Sequence, residues 1–187
     1  MTARILCLII LALEIRGLSL SLTGRLWKAF VFYTQLSNMM TAVSAALLLV
    51  FGQPYPVSVL RYLSVCMMVM TFFVTTCVLV PMGGDPKKLL WSGNGLYLHV
   101  LCPVVSALSY ILAEHHTGRA AIPMPVVVTL VYGLTMLCLN ALGKVDGPYP
   151  FFRVRKQGII KTILWIGALM AAIAVFSILV WLAGEKI

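Results

Sequence analysis

Apolar runs of about 20 residues recur from one end of the chain to the other, parted by short clusters of Gly, Pro and charge. A run of that length matches the hydrocarbon thickness of a bilayer. The pattern predicts six spanning helices, over residues 4–22, 29–51, 57–80, 94–114, 122–142 and 158–183. Gly52-Gln53-Pro54-Tyr55-Pro56 ends the second, and Pro81, Gly83, Gly84, Asp85 and Pro86 break the chain after the third. Gly24, Arg25 and Lys28 form a turn after the first. A polar loop over 143–157, with Asp146-Gly147-Pro148-Tyr149-Pro150, precedes the last. Short loops predict that consecutive helices are antiparallel neighbours. The fold class is therefore all-α, a polytopic six-helix membrane bundle forming a single domain over 1–187.

The second run is interrupted on one side only. Thr34, Ser37, Asn38 and Thr41 follow at i, i+3, i+4 and i+7, which places them on one helix face. Lipid cannot satisfy a hydroxyl or an amide, so this face turns inward. His99 enters the fourth run at a matching depth from the same side. Glu14 falls near the middle of the first run, where lipid exposure of a carboxylate would cost about 3 kcal/mol. It is expected to face the bundle interior, protonated, paired with Arg16 or Arg61, or orienting His99.

Composition supports the membrane reading. Of 187 residues, 61% are hydrophobic and 10% charged, and the mean hydropathy is +1.03. The net charge of +9 lies mostly in loops, where it reports orientation and anionic headgroups; no basic region accompanies a soluble fold, which argues against nucleic acid as a partner. The connections after helices one, three and five, with nearby Lys161, carry nine cations, and the opposite side carries Arg4, Arg61, Arg119 and Lys186. Nine against four puts the first group in the cytoplasm and both termini outside. Glu14 and Arg16 interrupt the first run and no A-x-A follows, so it reads as a retained helix, not a signal peptide. Five cysteines, all in apolar runs and without a CxxC, read as small buried hydrophobes. Glu114, His115 and His116 read as an interfacial loop, since a zinc site needs further ligands; no metal or cofactor is expected.

Thr34 and His99 pair a hydroxyl with the side chain that most often activates one. The structural alternative is a Thr bonded to its own helix carbonyl and a His filling a helix contact. The Asn38 amide could donate to an oxyanion, and Ser37 could do likewise or simply pack. Asn94 and Tyr97 could orient His99 or contact substrate; equally, Asn94 could cap its helix and Tyr97 sit as an interfacial aromatic. Thr71, Thr75 and Thr76 read as packing residues.

Three short motifs occur in order: Tyr33-Thr34-x-x-Ser37-Asn38, Leu98-His99-x-x-x-Pro103 and Tyr149-Pro150-Phe151. With six runs in under 200 residues, the chain resembles the prokaryotic six-transmembrane proteins. These are distant relatives of the androgen-induced and androgen-dependent membrane hydrolases. The resemblance covers nearly the whole chain in topology and three motifs in residues. It implies an intramembrane threonine hydrolase of lipid esters, such as fatty acid esters of hydroxy fatty acids, with Thr34 as nucleophile and His99 as base. It also implies a bacterial cytoplasmic membrane. Two other functions compete: a non-enzymatic lipid-binding protein, and a small transporter lined by the polar face. Transporters favour broken helices and paired intramembrane charges, of which only Glu14 and Arg16 are candidates here. The sequence carries no signal of oligomeric state.

Overall fold

In a computed structural model the chain is described over residues 1–22, 29–114, 117–146 and 149–185. The predicted turn at Gly24, Arg25 and Lys28, and His115, His116, Gly147, Pro148 and Lys186, lie outside the described residues. The described residues are helical, without a strand. Six long helices follow one another: α1 Thr2–Ser21, α2 Tyr33–Phe51, α3 Tyr55–Leu79, α4 Gly93–Ala113, α5 Arg119–Ala141 and α6 Ile159–Gly184. Five of them, α2 to α6, are long and apolar enough to cross a membrane. α1 has comparable length but carries Arg4, Glu14 and Arg16.

The helix ends follow local chemistry. Gly52 adopts φ 76° just past α2, a conformation that an L side chain rarely takes, and Pro56 then sits at the start of α3. α2 begins at Tyr33, later than the pattern predicts, because Phe32 is extended at φ −92°, ψ 128°. Thr34 therefore stands in the first turn of α2 and not a full turn and a half below its start.

α3 is the centre of the bundle and packs against α2, α4, α5 and α6. α1 packs on α2 and α4, and α5 on α6. The consecutive helices α4 and α5 are not extensively packed together, contrary to the neighbour rule, because both lie against α3. The central position suits the sequence of α3, whose Ser64, Cys66, Met68 and neighbours leave no side to lipid. Cys7, Cys66 and Cys102 are buried as expected, whereas Cys77 and Cys138 face outward.

Both α3 and α4 contain wide π-helical turns, Val74–Leu79 and Tyr97–Leu101, and a third, Lys87–Trp91, lies in the loop between them. Such turns concentrate at functional sites. The loop after α5 is not uniformly polar. Tyr149, Phe151 and Phe152 fold back and are buried, with Tyr149 stacked on Phe151 at 5.2 Å and Phe32 edge-on to it at 6.2 Å.

Candidate functional site

The polar face of α2 turns inward throughout: Thr34, Ser37, Asn38, Thr41 and Ser44 are all buried. Most of it links helices. The Ser37 hydroxyl bonds Thr71 Oγ1 at 2.9 Å and donates to the Thr34 carbonyl at 3.0 Å, so it ties α2 to α3. Thr76 bonds its own helix at the Phe72 carbonyl, whereas Thr71 and Thr75 line a groove described below. The Asn38 amide donates to the Thr34 carbonyl at 2.7 Å and to the Leu98 carbonyl on α4 at 3.2 Å. Both N–H groups are thus committed to backbone. Asn38 is a clamp between α2 and α4 and has no free donor for an oxyanion.

Thr34 differs. Its Oγ1 bonds no carbonyl of its own helix. It lies 3.4 Å from the Tyr149 hydroxyl, and its backbone N–H donates to the same hydroxyl at 3.3 Å. That N–H is one of the donors an α-helix leaves unpaired in its first turn. Tyr149 is buried, which pushes its phenol above the ordinary tyrosine range and keeps it protonated, a donor.

His99 sits in the wide turn of α4, half-buried. Its Nδ1 donates to the Leu89 carbonyl at 2.8 Å. This bond selects the tautomer that leaves Nε2 with a free lone pair. Gly95 makes the approach possible: a Cβ there would stand 2.6 Å from the Leu89 oxygen. The carbonyl that holds the imidazole is therefore wedged against a position where any side chain would displace it.

Thr34 and His99 line one cavity of about 700 Å³, together with Ser21, Gln35, Asn94 and Tyr149. It lies where the three connections α1–α2, α3–α4 and α5–α6 meet. No hydrogen bond joins Thr34 to His99 directly; Tyr149, not His99, is the hydroxyl's partner. Thr34 and Tyr149 also line a second, narrow space of about 50 Å³, a groove walled by Met70, Thr129, Gly133 and Leu169. Leu130 and Leu134 form its outer lip and are exposed on α5. Thr34, Leu79 and Tyr149 line both spaces.

The remaining candidates separate. Asn94 lines the cavity, exposed, but does not cap α4, whose N-cap is Ser92. Tyr97 is absent from the cavity wall and packs on α1, where a Cβ on Gly17 would meet it at 2.9 Å. Glu14 is fully buried, as its cost in lipid requires. Neither carboxyl oxygen has a hydrogen-bond partner among the described residues. Arg61, one of the expected partners, is held by Glu114, and His99 by Leu89. It orients neither.

Arg61, which the sequence puts among the charges of the outer side, is a fully buried member of α3 in a two-pronged pair with Glu114 at 2.8 and 2.7 Å. Ser109 donates to the same carboxylate at 2.7 Å.

Comparison with protein-family models, curated proteins and solved structures found no match. What the site can do follows from its geometry. A hydroxyl, a tautomer-fixed imidazole and a buried phenol line one wide, partly polar chamber, and Thr34 and Tyr149 also line a narrow apolar groove. Sequence reasoning singled out Thr34 and His99 but not the Tyr149 contact. The available signal was a run of three aromatics, Tyr149, Phe151 and Phe152, inside a segment read as a polar loop.

Proposed function

We propose that the chain is an intramembrane hydrolase of lipid esters, with Thr34 as nucleophile and His99 as base, in the manner of the threonine hydrolases it resembles. The observation that carries this reading is the shared cavity, in which His99 keeps Nε2 free while Nδ1 is tied to Leu89. The Thr34 Oγ1 proton passes to His99 Nε2 as the oxygen attacks the ester carbonyl carbon. The tetrahedral adduct collapses, the alkoxide leaves with the proton from His99, and an acyl-threonine remains. Water, deprotonated by His99, then releases the acid and restores the hydroxyl. The open distance between the two side chains closes around substrate, as catalytic hydrogen bonds commonly tighten only in the complex.

The acyl chain takes the apolar groove and continues along Leu130 and Leu134 into the bilayer. Water and the leaving alcohol use the polar chamber. Filling the groove should therefore select by chain length. Gly133→Phe is expected to lower kcat/KM for a long-chain ester by about tenfold while leaving a short-chain ester nearly unchanged. Equal losses on both esters would disprove the groove assignment.

α1 is the sixth span in this reading. Its 20 residues extend about 30 Å, the thickness of the hydrocarbon core, and its mid-depth carboxylate is turned inward. The cytoplasmic side is that of the cavity. With Arg61 buried, the loop cations number nine against three, four less Arg61. In a cysteine-free background, an impermeant maleimide applied to intact cells should label Ala120→Cys and spare Ser92→Cys, both exposed positions. The opposite pattern reverses the orientation.

One observation favours a second reading. Thr34 is bonded to Tyr149 and not to His99, which a non-enzymatic lipid-binding protein would tolerate. Ester turnover by the purified protein decides between the two.

A further inference from the structure

Resting on the hydrolase reading, we infer that Tyr149 is a third catalytic residue, and that its hydroxyl, with the backbone N–H of Thr34, forms the oxyanion hole. Attack by Thr34 needs donors placed where the carbonyl oxygen becomes charged. Asn38, the candidate from spacing, is spent on two backbone carbonyls. The Tyr149 hydroxyl is the polar group that reaches both the N–H and the Oγ1 of Thr34, at 3.3 and 3.4 Å.

Once Oγ1 bonds the carbonyl carbon, the carbonyl π pair moves onto oxygen. That oxygen lies one bond angle from Oγ1, beside the group that Tyr149 already contacts. The Thr34 N–H belongs to the first turn of α2, whose aligned peptide dipoles add positive potential at the same point. Substrate thus replaces the Tyr149–Thr34 contact: the phenol turns its O–H from Oγ1 to the oxyanion, and the N–H follows. The phenol is held for this task. Its ring stacks on Phe151, which packs in turn against Trp165 of α6 at 5.8 Å. Tyr149 lines both the wide chamber and the apolar groove, so an ester spanning the two lies against it.

The test is hydrolysis of p-nitrophenyl decanoate by the purified full chain in detergent micelles. Tyr149→Phe should lower kcat by about 100-fold and leave KM within about twofold, since an oxyanion donor acts in the transition state. It should also weaken a decyl trifluoromethyl ketone, whose adduct carries the oxyanion, by a similar factor, and leave a decyl ether bound as in wild type. An unchanged kcat, or a higher KM at unchanged kcat, overturns the inference. If Tyr149→Phe fails to fold, 3,5-difluorotyrosine at position 149 keeps the hydroxyl and lowers its pKa. A phenolate cannot donate, so kcat should fall with rising pH earlier than in wild type; a superimposable pH profile overturns the role. Failure of the underlying reading looks different: folded wild type would then cleave no ester and form no ketone adduct.

Discussion

Thr34→Ala is expected to lower lipid-ester turnover by about 10³-fold or more, and His99→Ala by a similar factor. The double variant should lose little beyond either single one, because nucleophile and base act as one unit. Thr34→Ser should keep part of the activity, since it keeps a hydroxyl at a position that lines both the chamber and the groove. Neither residue ties the bundle together. Among the described residues Thr34 Oγ1 has only the long contact to Tyr149, and His99 bonds a loop carbonyl, so both variants should fold and extract as wild type does. The measurement is turnover of a long-chain ester by purified protein, with covalent labelling by a fluorophosphonate as a second readout. A Thr34→Ala protein that hydrolyses ester at the wild-type rate removes Thr34 from the chemistry. A folded wild type that cleaves no ester moves the lipid-binding reading to first place.

The helices and their inward faces were legible because each signal is local. Apolar length marks a span, and four polar residues at helical spacing mark the side that avoids lipid. The Thr34, Ser37, Asn38 and Thr41 face was therefore read from α2 alone. The start of α2 was not, because Phe30, Val31 and Phe32 are as apolar as the helix that follows, and hydropathy does not distinguish an interfacial turn from a span. The Tyr149–Thr34 contact joins residues 115 positions apart, and the Leu89 carbonyl carries no residue-type signal at all. Asn38 shows the limit from the other side. Its position on the inward face was right, but its amide was claimed by backbone carbonyls, one of which only the packing of α2 on α4 brings near. Arg61 was misassigned for a related reason. An arginine near a helix end reads as snorkelling to the headgroups. Its partner Glu114 is 53 residues away, at the end of another helix.

That pair carries the largest expected effect on stability. Arg61 is fully buried, and it meets Glu114 through two short, charge-assisted bonds. Its Nη1 further reaches Ser44 at 3.4 Å and Ser106 at 3.5 Å, so one guanidinium joins α2, α3 and α4. Removing either charge strands the other in a buried site without its two-pronged partner. Arg61→Ala or Glu114→Ala should then destabilise the bundle by about 3–5 kcal/mol, and the loss should far exceed that from truncating one exposed apolar side chain of α6. The pair itself contributes much less than this figure, because burying two charges offsets most of their attraction. Arg61→Met combined with Glu114→Leu should therefore recover most of the stability and melt well above either single Ala variant. Thermal unfolding in a mild detergent measures all four proteins. The cavity end of the bundle is built from other residues, so the double variant should keep its turnover per folded molecule. If Arg61→Ala melts within a degree or two of wild type, the pair is not what joins these three helices, and Asn38 with the α2–α3 hydroxyl contacts becomes the main polar tie.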